Sequence, residues 1–259
     1  MDKEWALSVA ITTARQVGEV IRRGEGKEKG EKCKSHRHDP VTVFDRRAEE
    51  LIVKAIEEAF PGHGILSEEG TCKQGSSPYH WVIDPLDGTN NFLRGYPQYS
   101  VSLALLRGDE EEVACIYDPL RGELFTAIRG GGARLSGERI EVSLQDSLDG
   151  ALIGVGLSSR PDRALKGIAT LPKIIPHARA VRVAGSACLD LAYVAAGRLD
   201  AAWYLSLSPW DVAAGTLLIE EAGGRVSDLA GERLAAPEGG ILATNGLIHP
   251  NMLAIANRE

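Results

Sequence analysis

The chain has 259 residues, of which 44% are hydrophobic and 25% are charged, close to the averages for soluble globular proteins. This composition argues against a disordered, collagen-like or membrane-inserted chain, and the length suits one large domain or two tightly packed halves. The net charge of -7 and the pI near 5.5 argue against broad electrostatic attraction to nucleic acid or anionic lipid.

The N-terminal segment predicts two helices joined by a polar connection. Apolar residues recur at helical spacing over residues 3–23, and Gly24 would end that helix. Glu25 to His38 predicts a loop or hairpin, and a second helix is expected from Asp45 to Phe60. We find no secretion signal before the first helix and no apolar run long enough to cross a bilayer, so we expect a cytoplasmic protein.

The middle of the chain predicts an antiparallel meander. Two short apolar stretches, Gly64 to Leu66 and His80 to Ile83, are typical of buried strands. They are followed by segments that alternate apolar and polar residues between turn signals: Tyr99 to Arg107, Glu112 to Tyr117 and Glu123 to Ile128.

From about Ala151 the pattern changes to strands that alternate with helices. The predicted strands are Ala151 to Val155, Ala180 to Val183, Asp200 to Leu205 and Gly240 to Thr244, and the predicted helices lie near Asp162 to Leu171, Ser186 to Ala196 and Pro209 to Ala222. We therefore predict an N-terminal α+β half, residues 1–145, and a C-terminal α/β half, residues 146–259. Helices and sheets should alternate in layers.

The most informative segment is a buried-type strand that ends in two acids, Asp84 and Asp87. Pro85 fixes a backbone torsion between them and Gly88 permits close approach, so both acids can face one point. Their oxygens and an intervening carbonyl suit Mg²⁺ or Mn²⁺ better than zinc, and N–H groups of residues 88–90 at the next helix start would stabilise a phosphate. The alternative is a turn with a helix N-cap.

Other acids have ordinary interpretations when taken singly. Glu68 and Glu69 follow a short strand, where adjacent side chains point to opposite sides, or they lie on solvated surface. Asp45 predicts a helix N-cap, and Asp211 predicts a first-turn acid favoured by the helix dipole.

Together, in chain order, these motifs resemble the inositol monophosphatase family over nearly the whole chain. The matching segments are Asp39-Pro40-Val41-Thr42 with Asp45, Ser67-Glu68-Glu69, Asp84-Pro85-Leu86-Asp87-Gly88-Thr89-Asn90, Gly185-Ser186-Ala187, Trp210-Asp211-Val212-Ala213-Ala214-Gly215 and Glu221-Ala222-Gly223-Gly224. The resemblance implies a layered αβαβα sandwich like that of fructose-1,6-bisphosphatase. It also implies a Mg²⁺-dependent, lithium-sensitive phosphatase that forms homodimers.

The resemblance further implies a residue-by-residue metal site. Glu68, Asp84 and the carbonyl of Leu86 would bind a first Mg²⁺, and Asp84, Asp87 and Asp211 a second; Mn²⁺ can substitute. Glu69 would be an outer partner or assist a third ion. Lys34 matches a lysine of the family's mobile loop, and an ordinary solvated lysine is an equal alternative for it.

For catalysis the resemblance implies Asp45, Thr89 and Glu68. The Thr89 hydroxyl, bonded to Asp45, would orient or deprotonate an attacking water, and no phosphoenzyme is expected. Substrate contacts are implied for Asp87, Gly88, Thr89, Asn90, Gly185, Ser186, Ala187, Tyr204 and Asp211.

The resemblance indicates the identity of the substrate less clearly than it indicates the metal site. Tyr204 stands where inositol-preferring members commonly carry a glutamate, and it could bind a polyol, stack on a sugar or base, or pack against the sheet. Inositol 1-phosphate is the leading substrate of this small-molecule phosphatase. The alternatives are fructose bisphosphate, adenosine 3',5'-bisphosphate, NADP and histidinol phosphate. A binding or regulatory protein is another alternative, because some bacterial relatives associate with transcription machinery.

Four cysteines are widely spaced and form no C-x-x-C pair, so the sequence supports neither a zinc ribbon nor a redox dithiol motif. Free thiols are expected. Cys33 and Cys72 both fall in polar segments beside proposed site residues, so a reversible disulfide between them is the alternative.

Overall fold

The computed structural model describes residues 1–34, 40–158 and 161–256. The helices are α1 (Lys3–Arg23), α2 (Val43–Ala59), α3 (Thr89–Arg94), α4 (Pro161–Ile168), α5 (Leu171–Ile174), α6 (Ala187–Ala195), α7 (Pro209–Glu221) and α8 (His249–Ala256). The strands are β1 (Lys32–Cys33), β2 (Pro40–Val41), β3 (Gly64–Ser67), β4 (Cys72–Lys73), β5 (Tyr79–Asp87), β6 (Ser100–Arg107), β7 (Glu110–Asp118), β8 (Glu123–Ile128), β9 (Gly132–Leu135), β10 (Glu138–Arg139), β11 (Leu152–Val155), β12 (Ala180–Arg182), β13 (Ala201–Tyr204), β14 (Arg225–Ser227) and β15 (Ile241–Thr244).

The larger sheet carries the predicted meander. Its described strands run in the order β10-β9-β8-β7-β6-β5-β3-β4, and they pair antiparallel except for the parallel β3–β5 pair. Successive side chains of a strand point to opposite faces. Trp81 and Ile83 therefore pack against α1 and α2, whereas Val82 faces α6 and α7.

The smaller sheet has the order β12-β11-β13-β15-β14. β11 pairs in parallel with β12 and β13, as alternating strands and helices predict, but β15 is antiparallel to both β13 and β14. The parallel pairing expected from alternating strands and helices therefore holds for β11, β12 and β13 but not for β14 and β15. β14 lies in the three-residue segment Arg225–Ser227, too short for a periodic signal.

Three apolar clusters show the layers. The first joins α1 and α2 to one face of the larger sheet, and the second joins the opposite face to α6, α7 and the smaller sheet. The third lies between the smaller sheet and the outer helices, through Trp203, Ile174 and Met252. The order is therefore helix, sheet, helix, sheet, helix, which confirms the predicted αβαβα sandwich.

Most local predictions of the first half are confirmed, with one correction. α1 ends at Gly24, which caps it, and the second helix begins at Val43. The prediction that Asp45 is the N-cap was wrong, because Thr42 takes that position and Asp45 completes a capping box three residues later.

The larger sheet lies before, and the smaller sheet after, the predicted domain boundary between residues 145 and 146. The division into two domains there stays a prediction. Within the described ranges, no helix is long and apolar enough to cross a membrane.

Candidate active site

A bulge at the end of β5 shapes the centre of the site. Asp84 pairs with Ser102 and Asp87 with Ser100, so three steps on β5 oppose two steps on β6. Pro85 within the bulge has no N–H to give to the ladder. The N–H of Leu86 instead donates to Oδ1 of Asp84 over 3.0 Å. The bulge therefore turns two acids and one carbonyl away from regular strand pairing.

Four acids that lie far apart in the sequence line one cavity of about 430 Å³. From the first, Glu68, to the last, Asp211, they span 144 positions of the chain. Asp84 and Asp87 come from β5, Glu68 follows β3, and Asp211 lies in the first turn of α7. The cavity is also lined by other predicted site residues: Lys34, Leu86, Gly88, Thr89, Asn90, Gly185, Ser186, Ala187 and Tyr204. Asp45 and Glu69 reach it through Thr89 and Lys34 respectively.

Crowding of these carboxylates disfavours their charged forms. Burial raises the pKa of Asp84 well above its usual value, and the charges of Glu68, Asp87 and Asp211 raise it further. Burial also raises the pKa of Asp211 well above its usual value. The pKa of Asp87 rises to about 6, again through burial, although hydrogen bonds oppose the shift. A bound divalent cation would relieve this repulsion.

The start of α6 holds Asp87. The Ser186 hydroxyl and the Cys188 N–H, the latter at 3.0 Å, donate to Oδ2, whereas Oδ1 accepts the Ala187 N–H over 3.3 Å. The Ser100 hydroxyl adds a contact to Oδ2 at 3.3 Å. Residues expected to contact the substrate therefore also position an acid, and Oδ1 is the less heavily engaged oxygen.

Asp211 is fixed by the helix that carries it. Its Oδ2 accepts the N–H of Ser208 over 2.7 Å, which forms a capping box with Ser208 as the N-cap of α7. The prediction of a first-turn acid is confirmed. The Ser-x-x-Asp spacing of residues 208–211 is the sequence signal of this box.

Asp45 and Thr89 form the predicted pair. The Thr89 hydroxyl lies 2.9 Å from Oδ1 of Asp45 and 3.1 Å from the carbonyl oxygen of Leu86. Oδ2 of Asp45 accepts the N–H of Thr42 at 2.7 Å and its hydroxyl at 2.5 Å. Burial raises the pKa of Asp45, and these hydrogen bonds oppose the rise. Oδ1 is therefore the atom available to Thr89.

Lys34 bridges the two glutamates. Its Nζ lies 2.9 Å from Oε1 of Glu68 and 2.5 Å from Oε1 of Glu69. Burial alone would lower the pKa of Lys34, but the two carboxylates outweigh it and raise that pKa. Burial raises the pKa of Glu69 to about 7. The solvated-lysine alternative therefore does not describe this residue.

The hydroxyl of Tyr204 is directed to a buried acid. Its hydroxyl donates to Oδ2 of Asp190 over 2.6 Å, and both residues are buried. A Cβ at Gly156 would lie 1.8 Å from the Tyr204 ring, so the ring packs directly on that glycine. Burial raises the pKa of Asp190 to about 7. Tyr204 thus lines the cavity while its hydroxyl is engaged by Asp190.

Several cavity residues had no predictive signal in the sequence, including Arg163, Leu157 and Ser206. Asn91 was also missed; its amide donates to the carbonyl oxygens of Gln98 and Ala184, which ties α3 to the loop before α6. The contact between Asn91 and Ala184 spans 93 positions of the chain.

Two predictions have a narrower outcome. Asp39, part of the first motif, lies outside the described residues. Cys33 and Cys72 are exposed free thiols, and their reversible disulfide stays a prediction.

The donor set fits a hard divalent cation. It consists of buried or half-buried carboxylate oxygens and the Leu86 carbonyl, and no histidine lines the cavity in the described ranges. Sγ of Cys188 lies within 4.8 Å of oxygens of Asp84 and Asp87, but its S–H points to the Asp211 carbonyl oxygen at 3.5 Å. The arrangement can therefore bind a cation of the Mg²⁺ class beside a group of N–H donors.

Known proteins resemble this chain in both sequence and fold. A sequence profile of the inositol monophosphatase family matches residues 2–259. Nus factor SuhB of Pseudomonas aeruginosa is 45% identical over 246 residues, which cover 92% of this chain and 91% of that protein. The crystal structure of the extragenic suppressor protein SuhB from Bartonella henselae is 34% identical, covers 98% of both chains and superposes with a TM-score of 0.93. An inositol monophosphatase from Anabaena is 36% identical, covers 98% of this chain and 96% of its own, and gives a TM-score of 0.86.

Proposed function

Because this chain belongs to the inositol monophosphatase family, we propose that it is a Mg²⁺-dependent phosphomonoesterase of small polyol phosphates, with inositol 1-phosphate as its leading substrate. The observation that carries the proposal is the convergence of Glu68, Asp84, Asp87 and Asp211 on one cavity. Fructose bisphosphate, adenosine 3',5'-bisphosphate, NADP and histidinol phosphate remain the competing substrates.

We assign the metal ligands as the resemblance implies. Glu68, Asp84 and the Leu86 carbonyl would hold one Mg²⁺, and Asp84, Asp87 and Asp211 a second. Bound there, the cations would supply Lewis-acid stabilisation of the phosphoryl oxygens and lower the pKa of a water. The N–H groups of Gly88 and Thr89 would donate to the same phosphoryl oxygens.

Within the chain, Thr89 and Asp45 would handle the proton. With its own hydrogen directed to Oδ1 of Asp45, the Thr89 oxygen is an acceptor that orients a water for in-line attack on phosphorus. As the water loses a proton to Thr89 Oγ1, the threonine proton passes to Oδ1 of Asp45. Lys34 would balance charge at Glu68 and Glu69.

The decisive experiment is phosphate release from the panel of candidate esters, with and without Mg²⁺. Among these esters, we expect Mg²⁺-dependent release to be most efficient with inositol 1-phosphate. Asp84→Asn should abolish it, whereas Asp109→Asn, at an exposed acid in the β6–β7 turn, should leave it unchanged. Full activity of Asp84→Asn would contradict the proposal. A large preference for a nucleotide or for histidinol phosphate would reassign the substrate.

We propose a second, noncatalytic role because relatives that cover most of this chain carry the name Nus factor. Such a role would need the folded surface and not the metal ligands. Asp84→Asn protein should then still co-purify with a transcription elongation complex of its own organism, even though phosphatase activity is lost. Loss of both properties together would contradict a separable role. Homodimer formation, lithium sensitivity and a third ion stay predictions.

A further inference from the structure

Arg163 is a cation on the wall of the cavity that the phosphatase mechanism does not use. It lies near the start of α4, with an exposed side chain, and its Nη1 donates to Oγ of Ser206 over 2.9 Å. Both residues line the same cavity as the four carboxylates. Among the side chains that the structure describes, no carboxylate forms an ion pair with the guanidinium.

Lys34, a second cation in the described lining of the cavity, differs in this respect. Lys34 contacts Glu68 and Glu69, and its charge is engaged there. Two divalent cations would neutralise the four carboxylates, which leaves no surplus positive charge at the metal end for an anion beyond the reacting phosphate. In a chain of net charge -7, a second anion on a substrate therefore needs its own cation. Arg163 meets that need.

The Ser206 contact also leaves most donors of the guanidinium unengaged. This group carries five N–H donors in a planar fork, and the Ser206 contact engages only one nitrogen. The remaining donors match the paired oxygens of a phosphate or a carboxylate. Ser206 accepts from Arg163, so the hydrogen of its own hydroxyl remains available as a donor. Ser206 thus acts as a positioning residue for Arg163.

We propose that Arg163 binds a second anionic group carried by the alcohol portion of the substrate. This inference rests on the proposed function and sharpens its substrate class. Among otherwise matched phosphate esters, those with an additional phosphate or carboxylate are the preferred substrates. The anion can be carried by inositol itself or by a shorter polyol.

The test compares two matched pairs of esters in Mg²⁺. Inositol 1-phosphate against inositol 1,4-bisphosphate tests a second phosphate, and glycerol 2-phosphate against 2-phosphoglycerate tests a carboxylate. In the unmodified protein we expect at least one pair to favour the more anionic ester in kcat/KM by about tenfold or more, the effect of one charge-assisted contact. The pair that responds identifies the anion.

Arg163→Ala should remove that preference through KM, with the less anionic ester hydrolysed at an unchanged rate. Arg163→Lys should retain part of it, and Ser206→Ala should weaken it. Arg182→Ala, at an exposed arginine of β12 outside the cavity lining, is the matched control and should change nothing. No preference in either pair, or an equal loss for both esters in Arg163→Ala, would overturn the proposal.

Binding separates this inference from the phosphatase proposal. If no ester is hydrolysed, the proposed function fails, and calorimetric titration of the same esters still tests Arg163. Weaker binding of the more anionic ester by Arg163→Ala, with the other ester unaffected, would support the subsite. Equal binding by the variant and the unmodified protein would refute it.

Discussion

The hydroxyl of Thr89 donates to Oδ1 of Asp45 over 2.9 Å, although 44 positions separate the two residues in sequence. α2 supplies the acid through its capping box, and Thr89 is the first residue of α3, two positions after the end of β5. Oδ2 of Asp45 already accepts two hydrogen bonds from Thr42, so we expect the proton of Thr89 to move to Oδ1.

Replacing Thr89 by valine should remove this proton path and keep the side-chain shape. We expect kcat to fall by roughly 100- to 10,000-fold, the usual contribution of a positioned acid–base group. Mn²⁺ binding should change little, because the hydroxyl is not in the proposed ligand set. Thr89→Ser is the matched control and should retain most activity. Steady-state kinetics and metal titration check the prediction, and a kcat within tenfold of the original for Thr89→Val would contradict it.

The metal-free protein should lose stability as pH rises. Burial raises the pKa of Asp87 from 3.8 to about 6. Because the folded-state pKa lies above the unfolded one, this contribution to stability is fully present below about pH 4 and is lost as pH rises through 6. We expect the Tm of EDTA-treated protein to fall across this window, and Mg²⁺ to restore it at neutral pH.

Asp84→Asn supplies the comparison for this effect, since it removes one of the repelling charges. In EDTA at neutral pH its Tm should exceed that of the original protein, with a shallower decline between pH 4 and 6, and added Mg²⁺ should raise it less. Scanning calorimetry across the pH series measures these differences. Identical pH profiles for the two proteins would show that the buried acids do not repel one another.

Gly88 should tolerate alanine worse than Gly95, although both have left-handed backbones with φ of 91° and 67°. A Cβ at Gly88 would lie 2.8 Å from the carbonyl oxygen of Gln98, whereas nothing lies within 4 Å of one at Gly95. We expect Gly95→Ala to destabilise by about 1 kcal/mol and Gly88→Ala by roughly 2 kcal/mol more.

Gly88→Ala should also lower kcat, because relief of the clash would displace the neighbouring Thr89. Urea unfolding in EDTA measures the two free energies of unfolding, and phosphate release measures the two rates. Equal destabilisation by the two alanines would contradict the close approach at Gly88.

The sequence predicted those features that are local in the chain. The helix over residues 3–23 and the alternating strands of the meander follow from periodicities contained in single segments, and the structure confirms them. The acids of the site were assigned through motifs whose order resembles a family. Their convergence then followed from the implied fold, not from spacing alone.

Contacts between segments that are distant in the sequence could not be predicted from periodicity or from motifs. Arg163 stands in an ordinary amphipathic stretch, and only the folded chain brings it to Ser206, 43 residues away. The antiparallel placement of β15 depends on the sheet edge available after β13, not on its own four residues. Asp45 was misassigned as an N-cap because Thr42 and Asp45 both suit that position, and only backbone geometry distinguishes them.

Replacing Tyr204 by phenylalanine should reduce stability rather than catalysis. The lost hydroxyl leaves Oδ2 of the buried Asp190 without its donor, which should cost about 1–3 kcal/mol in the free energy of unfolding. Burial raises the pKa of Asp190 to about 7, so its carboxyl is charged in the folded protein above that pH and neutral below it. A hydrogen bond to a charged acceptor is the stronger one, and we therefore expect the larger loss at pH 8 and a smaller one at pH 5.

Asp190→Asn provides the control, because its neutral amide removes the titration while leaving an acceptor for Tyr204. In that background the effect of Tyr204→Phe should become independent of pH, and a double-mutant cycle from urea unfolding at pH 5 and pH 8 measures the coupling. The kcat and KM for inositol 1-phosphate should stay within about twofold in Tyr204→Phe, because the hydroxyl is turned to Asp190 and not to the substrate. A rise in KM of tenfold or more with unchanged stability would instead show that the hydroxyl binds the substrate, and it would return Tyr204 to the polyol contact suggested by the resemblance.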